Sequence, residues 1–301
     1  ESSLLKTIYG FKGRLSVVER YEAILDSLSR IIGDFSSYIA VIIGEMHYER
    51  NEMDRIVSLL TENMGSITEL NMPGVILPSF LLLAKAKAAK GDVDGAFRKI
   101  IEARKLLAGR PGSVWNYHLD VHTAALHIRL GDLDNAARYM DFKRLGLYDP
   151  LSSVREYEYI LYARFLMLTK HTDDALILLG RLTNFAKKEK QLGRQIEILC
   201  LEALCYARKG DSTGASAALY NALALGAGHG YVRTFADEEE PMAQLLERYM
   251  KSVRDGAGQL AYARSLTDAA RGYAGILKEY RQKQSAGKQK MGARFLTSRE
   301  I

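Results

Sequence analysis

Apolar positions along the chain recur with a helical period rather than the two-residue alternation of a strand. Ile100 and Leu107 fall on one helical face, as do Leu178, Leu179 and Leu182. These runs are punctuated by a recurring layout in AAKGDVDGAFRKI, IRLGDLDNAARYM, LTKHTDDALILLG and ARKGDSTGASAAL. Each has a basic or polar residue, then a turn on Gly-Asp or an equivalent, then an alanine opening a new helix. Those alanines are Ala96, Ala136, Ala175 and Ala215, spaced 40, 39 and 40. Twelve residues upstream a second small-residue series, Ala84, Ala124, Ala163 and Ala203, keeps the same spacing, and one period earlier Gly44 and Ile56 take the two places. Antiparallel helices approach closely only where facing side chains are small, so each repeat is predicted to be one αα-hairpin.

The turns carry their own chemistry. Gly91, Gly131 and Gly210 suit the left-handed residue that ends a helix, and Asp92, Asp132 and Asp211 can cap the next one. The third turn, Lys170-His171-Thr172-Asp173, lacks glycine, and Thr172 and Asp173 are its candidate caps. The pattern predicts a helix over 15–28, hairpins near 36–65, 75–108, 114–145, 153–187 and 194–225, and a loss of register afterwards. The expected fold class is all-α, a superhelix of antiparallel helix pairs with a period of about 40 residues, which buries its apolar faces by stacking. Its boundaries are a repeat superhelix over 1–225, a diverged closing helix pair over 226–280 and a basic flexible linker over 281–295. A terminal segment, 296–301, completes the division.

Composition sharpens this picture in three places. Five prolines in 301 residues favour long helices. Of the formal charge of +6, a net +5 lies between Lys278 and Arg294, so the repeat body is nearly neutral. That basic tail could add salt-dependent contact to DNA phosphates, but a solvated linker is the favoured reading. Cys200 and Cys205 lie five apart in a helical stretch, where their side chains diverge, which points to reduced core thiols. No apolar run is long enough to span a bilayer and no signal-peptide layout opens the chain, so a cytoplasmic location with no membrane partner is expected.

Candidate catalytic chemistry is sparse. There is no phosphate-binding loop of the G-x-x-x-x-G-K-[ST] form, and the cluster Gly226-Ala227-Gly228-His229-Gly230 follows a helix and lacks the lysine. His118 and His122, four apart on one predicted helix, could converge on a metal and would motivate an enzyme reading, but a third ligand is not evident. The expectation is a binding module with no catalytic residues, no metal and no cofactor in this fragment.

The repeat resembles the tetratricopeptide family: a small residue at the eighth position of helix A, alanine opening helix B and an acid in the turn. It departs in its longer period and in carrying Ala40, Phe80, Asp120, Tyr159 and Leu199 where that family prefers an aromatic. The resemblance implies a concave face lined by helix A, and transferring its register gives Tyr38, Glu45, Tyr48, Glu49, Lys85, His118, Arg129, Tyr157, Arg164, Glu197 and Arg208. Trp115 stands near the same row. Mixed aromatic and charged groups suit a sugar, a metabolite or a peptide. The competing explanation for each residue is that it bridges neighbouring repeats.

The run Gly230, Tyr231, Val232, Arg233, Phe235, Asp237, Glu238, Pro241 and Met242 is similar to the segment closing the repeat region in large ATP-binding LuxR-type transcription regulators of the maltose-regulon activator family. Glu239 stands where that family commonly has glycine. Taken locally, Asp237 to Glu240 sit at a helix N-terminus with Pro241 in its first turn. Phe295-Leu296-Thr297-Ser298-Arg299-Glu300-Ile301 resembles the opening of a LuxR-type helix-turn-helix. Together they imply a bacterial sensor and coupling domain cut before its DNA-reading helix, with an ATPase upstream. Its implied partners are a small-molecule inducer or regulatory protein, DNA only through the missing C-terminal domain, and further copies of itself. The alternative is a stand-alone tetratricopeptide-like scaffold for a protein or peptide.

Overall fold

A computed structural model describes residues 36–109, 114–252 and 257–297. The helix expected over 15–28 and the end of the helix-turn-helix-like segment, 298–301, lie outside the described residues. Among the described residues the chain is all-α. Five hairpins follow in order: α1 (Ser36–Glu49) with α2 (Met53–Glu69), α3 (Pro73–Ala89) with α4 (Val93–Leu106), and α5 (Val114–Leu130) with α6 (Leu133–Lys143). The fourth and fifth are α7 (Glu156–Leu168) with α8 (Thr172–Lys188) and α9 (Leu192–Arg208) with α10 (Ser212–Ala227). A short α11 (Arg233–Ala236) then leads to the pair α12 (Glu239–Ser252) and α13 (Ala257–Thr297).

The small-residue series does what its spacing implies. Ala84, Ala124, Ala163 and Ala203 are buried, as are Ala96, Ala136, Ala175 and Ala215 across each hairpin. At the first position a Cβ on Gly44 would come 2.7 Å from Leu82 Cδ2, so the Leu82 side chain of α3 packs directly on the α1 backbone there. The turns follow the sequence too. Asp92 accepts a hydrogen bond from the Gly95 amide at 2.9 Å, Asp132 from Asn135 at 3.3 Å and Asp211 from Gly214 at 2.8 Å.

The third turn differs from expectation. Helix α8 begins at Thr172, so its cap position falls to His171, which makes no side-chain capping bond. Thr172 and Asp173 are already inside the first turn, where Asp173 still favours the positive end of the helix dipole. Its carboxylate instead pairs with Lys209 of the next turn, in the same register as the pair of Asp54 with Lys90. Lys170 takes the left-handed φ of +69° that glycine holds at the equivalent turns, Gly91, Gly131 and Gly210.

Cys200 and Cys205 are buried free thiols on α9, and burial pushes the Cys205 thiol up to about 12. The stretch 281–295, expected as a flexible linker, has helical backbone, because α13 continues to Thr297. Its lysines, glutamines, arginines and alanines are good helix formers, and that propensity outweighs Gly287 and Gly292.

Beyond α10 the chain turns back on the array. Tyr231 and Phe235 are fully buried, and the Tyr262 hydroxyl on α13 donates to the Tyr231 carbonyl. The Val232 amide donates to the Glu49 carbonyl at 2.8 Å, so the closing segment reaches the first described hairpin. Helix α13 then runs along the array: Ala263 and Leu266 pack in the core of the C-terminal repeats, while Tyr273 and Leu277 pack in that of the N-terminal ones.

A non-glycine residue in the left-handed region costs roughly 1 kcal/mol. Lys170→Gly is therefore expected to raise the unfolding free energy by about 0.5–1 kcal/mol and Gly210→Ala to lower it by about 1 kcal/mol, as measured by urea denaturation.

Candidate functional site

The inner ends of the A helices face the closing segment, and the contact is ionic. Asp237, at the C-terminal end of α11, bonds to Arg129 of α5, to Arg233 Nε at 2.6 Å and to the Tyr48 hydroxyl of α1 at 3.3 Å. Glu238 accepts from Arg164 of α7 at 2.6 Å, and Arg164 also binds Glu197 of α9 at 3.0 Å. Arg194 continues the row, donating to Glu197 at 2.6 Å and lying 3.8 Å from Glu156. Thr234 donates to Glu49 at 2.7 Å. Arg233 also donates to Asn51 at 3.1 Å and stacks on the Tyr273 ring, its guanidinium carbon 3.8 Å from the centroid.

Burial alone would raise the Asp237 carboxyl, but Arg129 and then Arg233 hold it well below the usual carboxylate range. For Glu238 the balance goes the other way. Burial raises it, and Arg164 offsets this only in part. The two neighbouring acids therefore differ, one firmly ionised and one whose charge is strained by its surroundings.

Of the residues expected to line the groove, Glu45 is buried and pairs with Lys85 at 3.2 Å, and the Lys85 ammonium also lies 4.1 Å above the Tyr48 ring. Tyr157 stacks on His122, with ring centroids 5.2 Å apart, and lies beneath Arg194. Arg208 donates to the Met167 carbonyl. Trp115 is drawn away to the apolar core of the N-terminal repeats. The side chain of Tyr38 lies outside the described residues. His118 is fully buried beside the Tyr117 ring, and burial lowers its pKa to about 4. Among the described residues no group of three His, Cys, Asp or Glu side chains is placed to hold a metal ion.

Free space is distributed unevenly along the groove. Along the middle of the groove two cavities of about 30 and 20 Å³, lined by Tyr48, Lys85, His122, Arg129 and Tyr157, have room for about one water each. A cleft of about 620 Å³ opens instead where the A helices end, between Leu130, Leu168 and Arg208 on one side and Asp237 to Pro241 on the other. That is the size of a metabolite site. Arg129, Arg164 and Arg208 reach it, but Tyr48, Lys85, His118 and Tyr157 do not.

Sequence reasoning did not place Asp237, Glu238, Glu239 and Arg281 at the site. Their signal was present as an acidic run facing arginines that recur on the A helices. Read locally, the run is a helix N-terminus, which is correct for Glu239 and Glu240 in the first turn of α12.

Fold and site together define a tetratricopeptide-like array whose inner face is closed by its own C-terminal segment. The chain belongs to the MalT-like TPR region family, whose model matches residues 9–252. Comparison with curated proteins gives no significant match.

Removing one partner of a buried ionic contact strands the others, at a cost of roughly 3 kcal/mol. Asp237→Asn is expected to destabilise the chain by about that amount at pH 7. The loss should shrink progressively below pH 4, because a depressed carboxyl contributes its full stability only above its unfolded value of 3.8 and gives it up as the pH falls toward the folded value. His118 acts in the opposite range. Neutral in the fold down to about 4 and ordinarily titrating at 6.5, it supports stability above 6.5 and withdraws it as the pH falls. Between pH 7 and 5 the wild-type chain should lose about 2 kcal/mol more than a His118→Leu variant in urea titrations.

Proposed function

We propose that this chain is the sensor and coupling domain of a bacterial LuxR-type transcription regulator. A small-molecule inducer or a regulatory protein binds in the cleft at the end of the groove, and α13 carries the response toward a DNA-binding domain outside this chain. On this reading the chain is a non-catalytic module. Its family, the closing motif and the helix-turn-helix-like sequence after Phe295 support the assignment.

The observation that carries the relay is the position of Arg281. From α13 it binds both carboxylate oxygens of Glu239 at 3.0 Å and donates to the backbone carbonyl of Arg129, whose side chain holds Asp237. Arg281, Glu239, Arg129 and Asp237 all line the cleft, so any occupant meets groove and output helix at once. Glu239 has a φ of +54°, a left-handed backbone that costs a residue with a Cβ roughly 1 kcal/mol. It stands where the resembled family commonly has glycine. Here the carboxylate compensates by latching α12 to α13.

A ligand moves this equilibrium only by binding the latched and unlatched states unequally, and the coupling is reciprocal. Arg129→Gln is therefore expected to speed hydrogen exchange over residues 270–283 of α13. A metabolite found by thermal-shift screening should slow exchange there and lose its effect in a Leu168→Trp variant that fills the cleft. Unchanged exchange in α13 in both cases would contradict the relay, and a thermal shift surviving Leu168→Trp would contradict the site.

A further inference from the structure

The charges of the cleft cancel almost completely within the chain. Arg129 is matched by Asp237, Arg164 by Glu238 and Arg281 by Glu239. Glu240 accepts from Gln244 at 3.2 Å and lies 4.0 Å from Arg271. Arg208 is different. It is exposed, it makes no ion pair among the described residues, and its one hydrogen bond goes to the neutral Met167 carbonyl. Around it the wall is aliphatic, with Leu133, Met167, Leu168 and Leu204.

The composition of the lining narrows the ligand class. Among the described residues none that lines the cleft is aromatic, so the stacking platform that sugars and nucleobases use is missing. An apolar wall alone would take any hydrophobic molecule, but a single uncompensated guanidinium beside it selects an anion with a planar two-oxygen head, because the two form parallel charge-assisted hydrogen bonds. A volume of about 620 Å³ suits a small molecule rather than a folded partner.

We propose that the cleft binds a small amphipathic carboxylate, such as a medium-chain fatty acid. Its head would sit on Arg208 and its apolar body on Leu133, Met167, Leu168 and Leu204. This rests on the reading of the cleft as the ligand site and names the chemistry of that ligand. Seated there, the molecule lies against Glu239 and Arg281, the pair that ties α12 to α13.

Isothermal titration of the intact chain with octanoate, octan-1-ol and sucrose tests it. Octanoate should bind saturably and raise the melting temperature, while octan-1-ol and sucrose bind at least about tenfold more weakly. Arg208→Gln should weaken octanoate by about tenfold or more without lowering the melting temperature of the free chain, and Arg208→Lys, which keeps the charge, should weaken it less. Failure of octanoate to saturate, or equal affinity in Arg208→Gln, overturns the proposal. If sucrose binds, is lost on Leu168→Trp and is indifferent to Arg208→Gln, the ligand class is wrong while the cleft remains the sensor site.

Discussion

Asp237 is a carboxylate taken almost out of water and held there by Arg129, Arg233 and Tyr48, which come from α5, α11 and α1. Isolated burial of any of these charges would be prohibitive, so each requires the others to be in place. Because the partners come from distant parts of the chain, the contact does more than close a local turn. It fixes the position of the closing segment against the first and third described hairpins together. Glu238, reaching Arg164 and through it Glu197, extends the same constraint to the fourth and fifth. An ionic network of this kind adds little net stability over apolar packing, but it leaves few alternative arrangements in which every guanidinium is paired.

That constraint also shapes the free space on the inner face. The middle of the inner face, which in an open array would be the binding surface, is taken up by α11 and by pairs such as Glu45 with Lys85. A larger cleft lies at the ends of the A helices, and one of its walls is the closing segment itself. On the proposed function, a ligand in the cleft acts on the network rather than beside it, and Arg281 connects that network to α13. On the same proposal, relay is a property of this shared wall and requires no path through the repeats.

Much of the architecture was legible in the sequence because the constraint behind it is local and repeated. Close approach of two helices demands a small residue at one place per hairpin, so Ala84, Ala124, Ala163 and Ala203 mark the array by spacing alone. The cap at the third turn differs because Thr172 and Asp173 are both good capping residues, yet the helix begins at Thr172 and leaves the cap position to His171. The insertion of the closing segment left only an ambiguous local trace. It depends on Asp237 meeting Arg129, which lies 108 residues away, and a run of acids before Pro241 reads equally well as the start of a helix. The register transferred from the tetratricopeptide pattern includes residues that meet the closing segment, such as Tyr48, Arg129 and Arg164, but could not show that the chain itself supplies their partners. In 281–295, solvating composition and helix propensity pull apart, and the helix continues.

Whether one buried carboxylate organises the inner face is read out by residue-resolved native-state hydrogen exchange on an Asp237→Asn variant. Protection should fall together at the inner ends of α1, α5 and α11, because all three lose a shared ionic partner. Loss of protection confined to α11, with α1 and α5 unchanged, would contradict it.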